Sequence, residues 1–432
     1  MGCQELESLS EYARDHAAYP RNQGPMERYD SYARMTGPCG DTMEFWLKIS
    51  QGKIEKASFT TTGCGPSLAC GSMATCLVKG KTVTDAAAVE PRHILEALHG
   101  LPPEHEHCAL LAATVLRAAC AAWFEQQRTP GFAKQERASS CETCEDKTCP
   151  AIAPRGDESQ KEFEERRKLQ SRLCRIRRKI VVLSGKGGVG KSTVAVNLAT
   201  ALMLAGKRAG LLDADIHGPS IPTMLGLENE KIESTPEGLA PVELGGLKVM
   251  SLGFMLQSPD DAVIWRGPMK MGVIQQFLRD VDWGDLDYLI IDSPPGTGDE
   301  PLSVCQLIGK LDGALVVTTP QQVAAVDVRK SITFCKQLQV PVLGVVENMS
   351  GFACPKCGEV TQVFQSGGGK QIAEDMQAPF LGSIPLDPQI AEACDQGRAF
   401  IHRFASTPTA KMLRQIIEPI IAFAEDVRSG KS

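Results

Sequence analysis

Gly185-Lys186-Gly187-Gly188-Val189-Gly190-Lys191-Ser192-Thr193 holds the residue types that phosphate chemistry requires. Glycines let backbone N–H groups converge on phosphate oxygens without side-chain obstruction, and the start of a following helix adds a positive partial charge. Lys191 stands where it can reach the β- and γ-phosphates of ATP, and Ser192 where it can hold Mg2+. Lys186, directly after the first glycine, cannot easily fold back onto the phosphates of its own loop. In a face-to-face homodimer it reaches the nucleotide of the other subunit and neutralises charge that develops during hydrolysis.

Two further acidic stretches belong to the same chemistry. Leu211-Leu212-Asp213-Ala214-Asp215 and Tyr288-Leu289-Ile290-Ile291-Asp292 each end an apolar run in carboxylates suited to magnesium or to an attacking water. The glycine-containing Ser293-Pro294-Pro295-Gly296-Thr297-Gly298-Asp299-Glu300 is a loop that can respond to the γ-phosphate. The extra lysine makes the loop a deviant Walker A pattern, shared by nitrogenase iron proteins, MinD and ParA partition ATPases and Mrp/ApbC iron-sulfur carriers. With Asp213-Ala214-Asp215-Ile216-His217-Gly218-Pro219-Ser220 and Pro294-Pro295-Gly296-Thr297-Gly298-Asp299, residues 179–428 resemble the Mrp/ApbC family. The resemblance implies that Asp215 is a switch aspartate, Asp292 the Walker B acid, and Asn348, in Glu347-Asn348-Met349-Ser350, an adenine-side contact; His217 is read as a loop residue without a catalytic role.

Sixteen cysteines are the other chemical resource. Cys354-Pro355-Lys356-Cys357-Gly358 places two thiolates at chelate spacing, which is half of a four-ligand site; a symmetric pair from a second subunit would complete it. The Mrp/ApbC resemblance implies a [4Fe-4S] cluster bridging a dimer there. Half of a zinc ribbon is the alternative, although the sequence has no second knuckle downstream. Near the N-terminus, Pro38-Cys39-Gly40-Asp41, Thr62-Gly63-Cys64-Gly65 and His107-Cys108 form an incompletely thiolate-ligated set that suits a cluster meant to leave. Together with His16-Ala17-Ala18-Tyr19-Pro20-Arg21-Asn22 and Leu101-Pro102-Pro103, these stretches resemble the IscU/NifU scaffold family over about residues 10–124. The resemblance implies Cys39, Cys64 and Cys108 as ligands of a labile cluster, Asp41 as the residue that promotes lability, His107 as an extra ligand, and a cysteine desulfurase and apo iron-sulfur proteins as partners. The family's Leu-Pro-Pro segment continues Val-Lys and recruits a chaperone, whereas here the continuation is Glu104-His105. Cys141, Cys144 and Cys149 are candidates for another cluster, with Cys174 the nearest fourth ligand.

These residues demand two kinds of scaffold. Candidate strands Ile180–Leu183, Arg208–Leu212, Leu247–Leu252, Tyr288–Ile291, Ala314–Val317 and Val342–Val346 alternate with helical patterns, giving an α/β P-loop NTPase domain with a parallel sheet and its ligand at the strands' carboxyl ends. A smaller α+β, IscU-like domain with strands at Thr42–Ser50 and Lys53–Thr61 precedes it. The expected division is 1–126 scaffold domain, 127–178 linker with cysteine cluster and charged helix, and 179–432 ATPase domain, consistent with 432 residues being too many for one core. The basic end of the charged helix is read as a solvated face. Cys70 and Cys76, and the isolated Cys174, Cys305, Cys335 and Cys394, are read as core packing.

A net charge of -6 gives no footprint for nucleic acid. No uninterrupted apolar run long enough for a bilayer and no secretory signal is seen, so a cytoplasmic protein without membrane contact is expected. The leading reading is an ATP-dependent iron-sulfur assembly and carrier protein. A MinD/ParA-like positioning ATPase would need a terminal anchor or a basic surface, and the C-terminal Met412–Ile421 segment reads more simply as a packed helix. A nitrogenase-type ATP-driven reductase is disfavoured by the fused scaffold.

Overall fold

The computed structural model describes residues 9–37, 40–126, 151, 153–156, 158–216, 218–236, 238–256, 267–353, 359–361, 367–405 and 407–423. The chain forms two compact units, an N-terminal one within Met1–Gln135 and a C-terminal one within Glu136–Glu243 and Leu247–Ser432.

The N-terminal unit is an antiparallel sheet, β1 (Ser31–Thr36), β2 (Thr42–Ser50) and β3 (Lys53–Thr61), with β2 in the middle. Alternation puts Met43, Phe45 and Leu47 of β2 and Ile54, Ala57 and Phe59 of β3 in the core. The β2–β3 connection is Gln51-Gly52, both at positive φ (52° and 73°), the backbone that a two-residue hairpin needs. Helices Glu11–Ala18, Gly65–Val78 and Glu106–Gln126 complete the core. Gly71 packs directly against the Phe59 ring, with no room for a Cβ. The expected strands are found with their ends unchanged; β1 was not anticipated. Pro103–Phe124 is long and apolar enough to cross a membrane by length and composition; its Leu111, Ala112, Val115, Leu116 and Ala119 are instead buried in this core.

The strands of the C-terminal unit are β4 (Ile176–Leu183), β5 (Ala209–Asp213), β8 (Val242–Leu244), β9 (Leu247–Met250), β10 (Leu286–Asp292), β11 (Gly313–Thr318), β12 (Val342–Ala353), β13 (Val360–Thr361) and β14 (Phe380–Leu386); β6 (Ser234–Thr235) and β7 (Gly238–Leu239) form a separate pair. The first nine make one sheet in the order β13-β12-β11-β4-β10-β5-β9-β8, with β14 on β12. All six expected strands are present, mutually parallel along β12-β11-β4-β10-β5-β9. Their runs of consecutive buried residues are those of a sheet covered on both faces. β13 is antiparallel to β12 and β14 parallel to it.

The charged helix differs from expectation. Gln160–Cys174, started by a capping box of Ser159 and Glu162, packs on the helix Gly267–Asp280 and buries Leu173 in the C-terminal core. Its charged residues meet opposite charges: Lys168 with Asp280 at 2.8 Å, Arg172 with Asp282 at 2.5 Å, and Glu165 with Arg279 at 3.1 Å. β4 begins at Ile176 rather than at Ile180. Among the isolated cysteines, Cys70, Cys305 and Cys335 are buried and Cys394 half-buried; Cys76 and Cys174 are exposed, which corrects the packing expectation for those two. The terminal helix Pro408–Ala422 buries Leu413, Ile416, Ile417 and Ile420, and Tyr288 Oη donates to the Ile420 carbonyl at 3.0 Å. Its apolar face is core, as expected.

Candidate functional site

The nucleotide machinery gathers at the carboxyl ends of β4, β5 and β10, the central parallel strands. The loop 184–190 leaves β4 and turns into the helix Lys191–Leu204 through Gly190 at φ +81°, where a side chain would also collide with the Asn348 amide. Lys191 is buried and donates to Asp292 Oδ1 at 2.6 Å; Ser192 Oγ donates to the other oxygen, Oδ2, at 2.5 Å. Asp215 lies 3.9 Å from the Lys191 ammonium. Asp213 accepts from Ser251 Oγ at 2.9 Å and from the Asp215 N–H at 3.1 Å. Burial, together with the neighbouring Asp292, raises Asp213 to about 8; burial also raises Asp292, against the pull of Lys191. The Ser192 hydroxyl and the Asp292 carboxylate form a hard oxygen pair of the kind magnesium takes. The buried hydroxyls of Ser184, Ser293 and Thr319 have no hydrogen-bond partner among the described residues, and Ser184 and Ser293 terminate β4 and β10. Buried donors of this sort fit an anionic ligand.

Lys186 takes a different direction. Its ammonium is exposed and donates to Gln321 at 3.3 Å, at the edge of a cavity of about 190 Å³ lined by Lys186, Gly187, Gly188, Thr319, Pro320, Gln321 and Met349. Gly185 packs on Asp327 with no space for a Cβ. Val189 is buried, and Thr193 lies in the first turn of the helix. Asn348, expected beside adenine, donates to the Val189 carbonyl at 2.9 Å, so its amide braces the phosphate loop. Its neighbour Glu347, fully buried, faces the other side of β12. There it accepts from Ser350 Oγ at 2.6 Å and from the N–H groups of Gly367 at 3.2 Å and Gly369 at 2.6 Å. Glu347 and Ser251 were not singled out from sequence; their buried hydrogen bonds reveal them. Cys354 and Cys357, in the sequence between β12 and β13, lie outside the described residues, as do His217 and the linker cysteines Cys141, Cys144 and Cys149.

The second site joins two helix starts in the N-terminal unit. Cys64 caps Gly65–Val78, and Cys108 lies in the first turn of Glu106–Gln126. Both thiols thus sit at helix N-termini, which favour negative charge. Hydrogen bonding from Cys108, aided by Ser67, lowers the Cys64 thiol to about 6, while Cys108 is raised by that same bond and by burial. The hydroxyl oxygen of buried Ser67, which sequence reasoning passed over, lies 3.2 Å from both Cys108 Sγ and Asp41 Oδ2 and can donate its one proton to either, so it links the acid to the thiols. Gly63 leaves room for both, since a Cβ there would come within 2.5 Å of Asp41 Oδ2 and Ser67 Oγ. His107 Nε2 lies 3.5 Å from Cys108 Sγ, and burial depresses this imidazole to about 4. A nitrogen of His105, however, joins Cys64 and Cys108 in a set whose ligand atoms all lie within 4.8 Å of one another. The sequence signal was Glu104-His105 after Leu101-Pro102-Pro103. Cys39 lies outside the described residues.

Fold and loop together define a P-loop NTPase. The family described as NUBPL iron-transfer P-loop NTPase matches residues 175–421, and the NifU-like N-terminal domain matches residues 9–130. An iron-sulfur cluster carrier protein of Methanocaldococcus jannaschii is 49% identical over 284 residues, 65% of this chain and 96% of its own. A nucleotide-binding protein from Archaeoglobus fulgidus, solved with ADP, is 42% identical with TM-score 0.50, over 57% of this chain and 95% of its own. The cell-division ATPase MinD of Pyrococcus furiosus is 23% identical with TM-score 0.41, over 57% of this chain and 99% of its own. The chain therefore belongs to the iron-transfer P-loop NTPases, preceded by a NifU-like domain. That membership favours iron-sulfur carriage over the positioning and reductase readings.

Proposed function

We propose that the chain assembles an iron-sulfur cluster on its N-terminal domain, receives it on its ATPase domain and passes it to apo-proteins. The observation that carries this reading is the grouping of Cys64, Cys108 and a histidine nitrogen within 4.8 Å, in a chain whose remainder is an iron-transfer P-loop NTPase. Sulfur would come from a cysteine desulfurase, and the labile cluster would rest on Cys39, Cys64 and Cys108, with Asp41 easing its departure. In the ATPase domain Lys191 binds phosphate, Ser192 and Asp292 hold Mg2+, and Asp215 and Asp292 prepare the attack of water. Lys186 acts across a homodimer, in keeping with its exposed ammonium. Cys354 and Cys357 from each subunit hold a [4Fe-4S] cluster between them. The fusion serves handover, because a tether of suitable reach sets an effective concentration on the order of millimolar.

The test is to load the N-terminal site with labelled iron and follow it to the ATPase site and on to an apo-ferredoxin, with and without ATP. Faster internal transfer in the whole chain than between separately expressed domains at micromolar concentration is the expected result. Equal rates would remove the handover, and no transfer to any apo-protein would remove the carrier reading.

A further inference from the structure

We propose that Ser251 is a positioning residue of the nucleotide site, acting on Asp215 through Asp213. Ser251 is fully buried directly after β9 and caps the turn Leu252–Met255. Its hydroxyl makes two contacts of opposite sense. It accepts the Gly253 N–H at 3.1 Å and donates to Asp213 Oδ2 at 2.9 Å. The first contact takes a lone pair and leaves the single proton for the carboxyl group.

Asp213 passes the constraint on. It is buried at the end of β5, and its other oxygen, Oδ1, accepts the Asp215 N–H at 3.1 Å. Between them, the Ala214 N–H donates to the Asp292 carbonyl at 2.9 Å. The peptide groups on both sides of Ala214 are thereby fixed, and with them the direction in which the Asp215 carboxylate leaves the chain, 3.9 Å from the Lys191 ammonium. The same turn holds the far end of the loop. Gly253 packs beside Pro219 and the helix Ile221–Met224, so closely that a Cβ would lie 2.9 Å from Pro222 Cγ and 3.6 Å from the Pro219 carbonyl oxygen. Ser251 and Gly253 thus grip residues 213–222 at both ends, with Asp215 between them. Such a grip matters because a group that prepares water for attack can lose about 100-fold in rate when displaced by about 1 Å.

This inference rests on the reading of Asp215 as a residue that prepares the attacking water, and the experiment tests the two apart. ATP affinity, by calorimetry, and phosphate release at saturating ATP are measured on the full chain. Ser251→Ala is expected to slow phosphate release about 10- to 100-fold, the size of one hydrogen bond to a charged group, with ATP affinity within about threefold of the parent. Asp215→Asn should be slow on its own, and adding Ser251→Ala should slow it little further, because residues that act as a unit do not add. Gly253→Ala keeps the hydroxyl but presses on Pro222, and it should slow release with ATP affinity retained. A parent rate in Ser251→Ala beside a slow Asp215→Asn overturns this inference alone. So does full multiplication of the two losses in the double variant, or a fall in ATP affinity as large as the fall in rate. Where Ser251→Ala fails to fold, a parent rate in Gly253→Ala overturns it. A parent rate in Asp215→Asn instead removes the reading of Asp215, and this inference with it.

Discussion

The two sites solve opposite electrostatic problems. Around the phosphate loop the charges already answer one another: Lys191 and Ser192 each hold one oxygen of Asp292, and Asp213 is held by Ser251. A triphosphate bound there must take Lys191 over from Asp292, so binding exchanges one set of ionic contacts for another. At the N-terminal site two thiols meet at two helix N-termini, with Asp41 joined through Ser67. On the reading proposed above, the cargo would bring the positive charge to these thiols. Exchange suits a site that must cycle; completion by the cargo suits one that holds it for a time.

The largest expected break in this contrast is Lys191→Ala. Losing a buried charge-assisted contact of about 3 kcal/mol weakens ATP binding on the order of 100-fold. Lys186→Ala should leave affinity nearly unchanged while slowing hydrolysis about 1,000-fold, the scale of a cation supplied in trans. Titration calorimetry and a phosphate-release assay separate the two; equal loss of ATP affinity would remove the trans role. Next comes Cys64→Ser, expected to remove the N-terminal metal and labile cluster with ATP affinity intact, as read by iron and sulfide analysis beside nucleotide titration. Cys354→Ser should do the reverse, removing the other class of cluster and sparing this one.

Gly71→Ala sharpens the contrast by addressing one unit alone. The added Cβ would lie 2.3 Å from the Phe59 ring, an overpacking that costs about 1–3 kcal/mol. Calorimetry should show the N-terminal transition lowered, with ATP affinity unmoved. Asn348→Ala removes a single hydrogen bond to the phosphate loop, worth about 1 kcal/mol, and should weaken ATP binding about fivefold. The smallest effect is one of pH. With Cys64 lowered to about 6, its alkylation rate, read by mass spectrometry of its peptide, should rise as pH passes upward through 6 and level off above about 7. Cys108→Ala, which removes the hydrogen bond, should shift that midpoint upward.

Much of this was legible in sequence because the elements that matter carry local signals. β5 and β10 are apolar runs ending in aspartate and β4 an apolar run leading into the glycine-rich loop, so the phosphate loop, Asp213, Asp215 and Asp292 fall at one end of a sheet once the strands are parallel. β1 escaped because Ser31-Tyr-Ala-Arg-Met-Thr36 has no β-branched run and owes its strand to pairing with β2. The packing of the charged helix Gln160–Cys174 escaped because its complement, Asp280 and Asp282, lies more than a hundred residues away. Asn348 was placed on the correct strand end, and its hydrogen bond to the Val189 carbonyl escaped because nothing local in sequence pairs an amide with a carbonyl 159 residues away.

Strand β12 holds two grips back to back. Asn348 fastens the phosphate loop on one face, and Glu347 on the other fastens Ser350 and Gly367, the positions that bracket Cys354 and Cys357 in the sequence. The two grips thus share one stretch of backbone, and if a cluster is held in that bracket, the shared backbone would couple it to the phosphate loop. Thermodynamics makes such a connection symmetric: whatever factor by which nucleotide alters the hold on a cluster between Ser350 and Gly367, the cluster alters the hold on nucleotide by the same factor. A carrier built this way would report its load to its fuel, and its affinity for ATP would depend on whether its cargo is aboard.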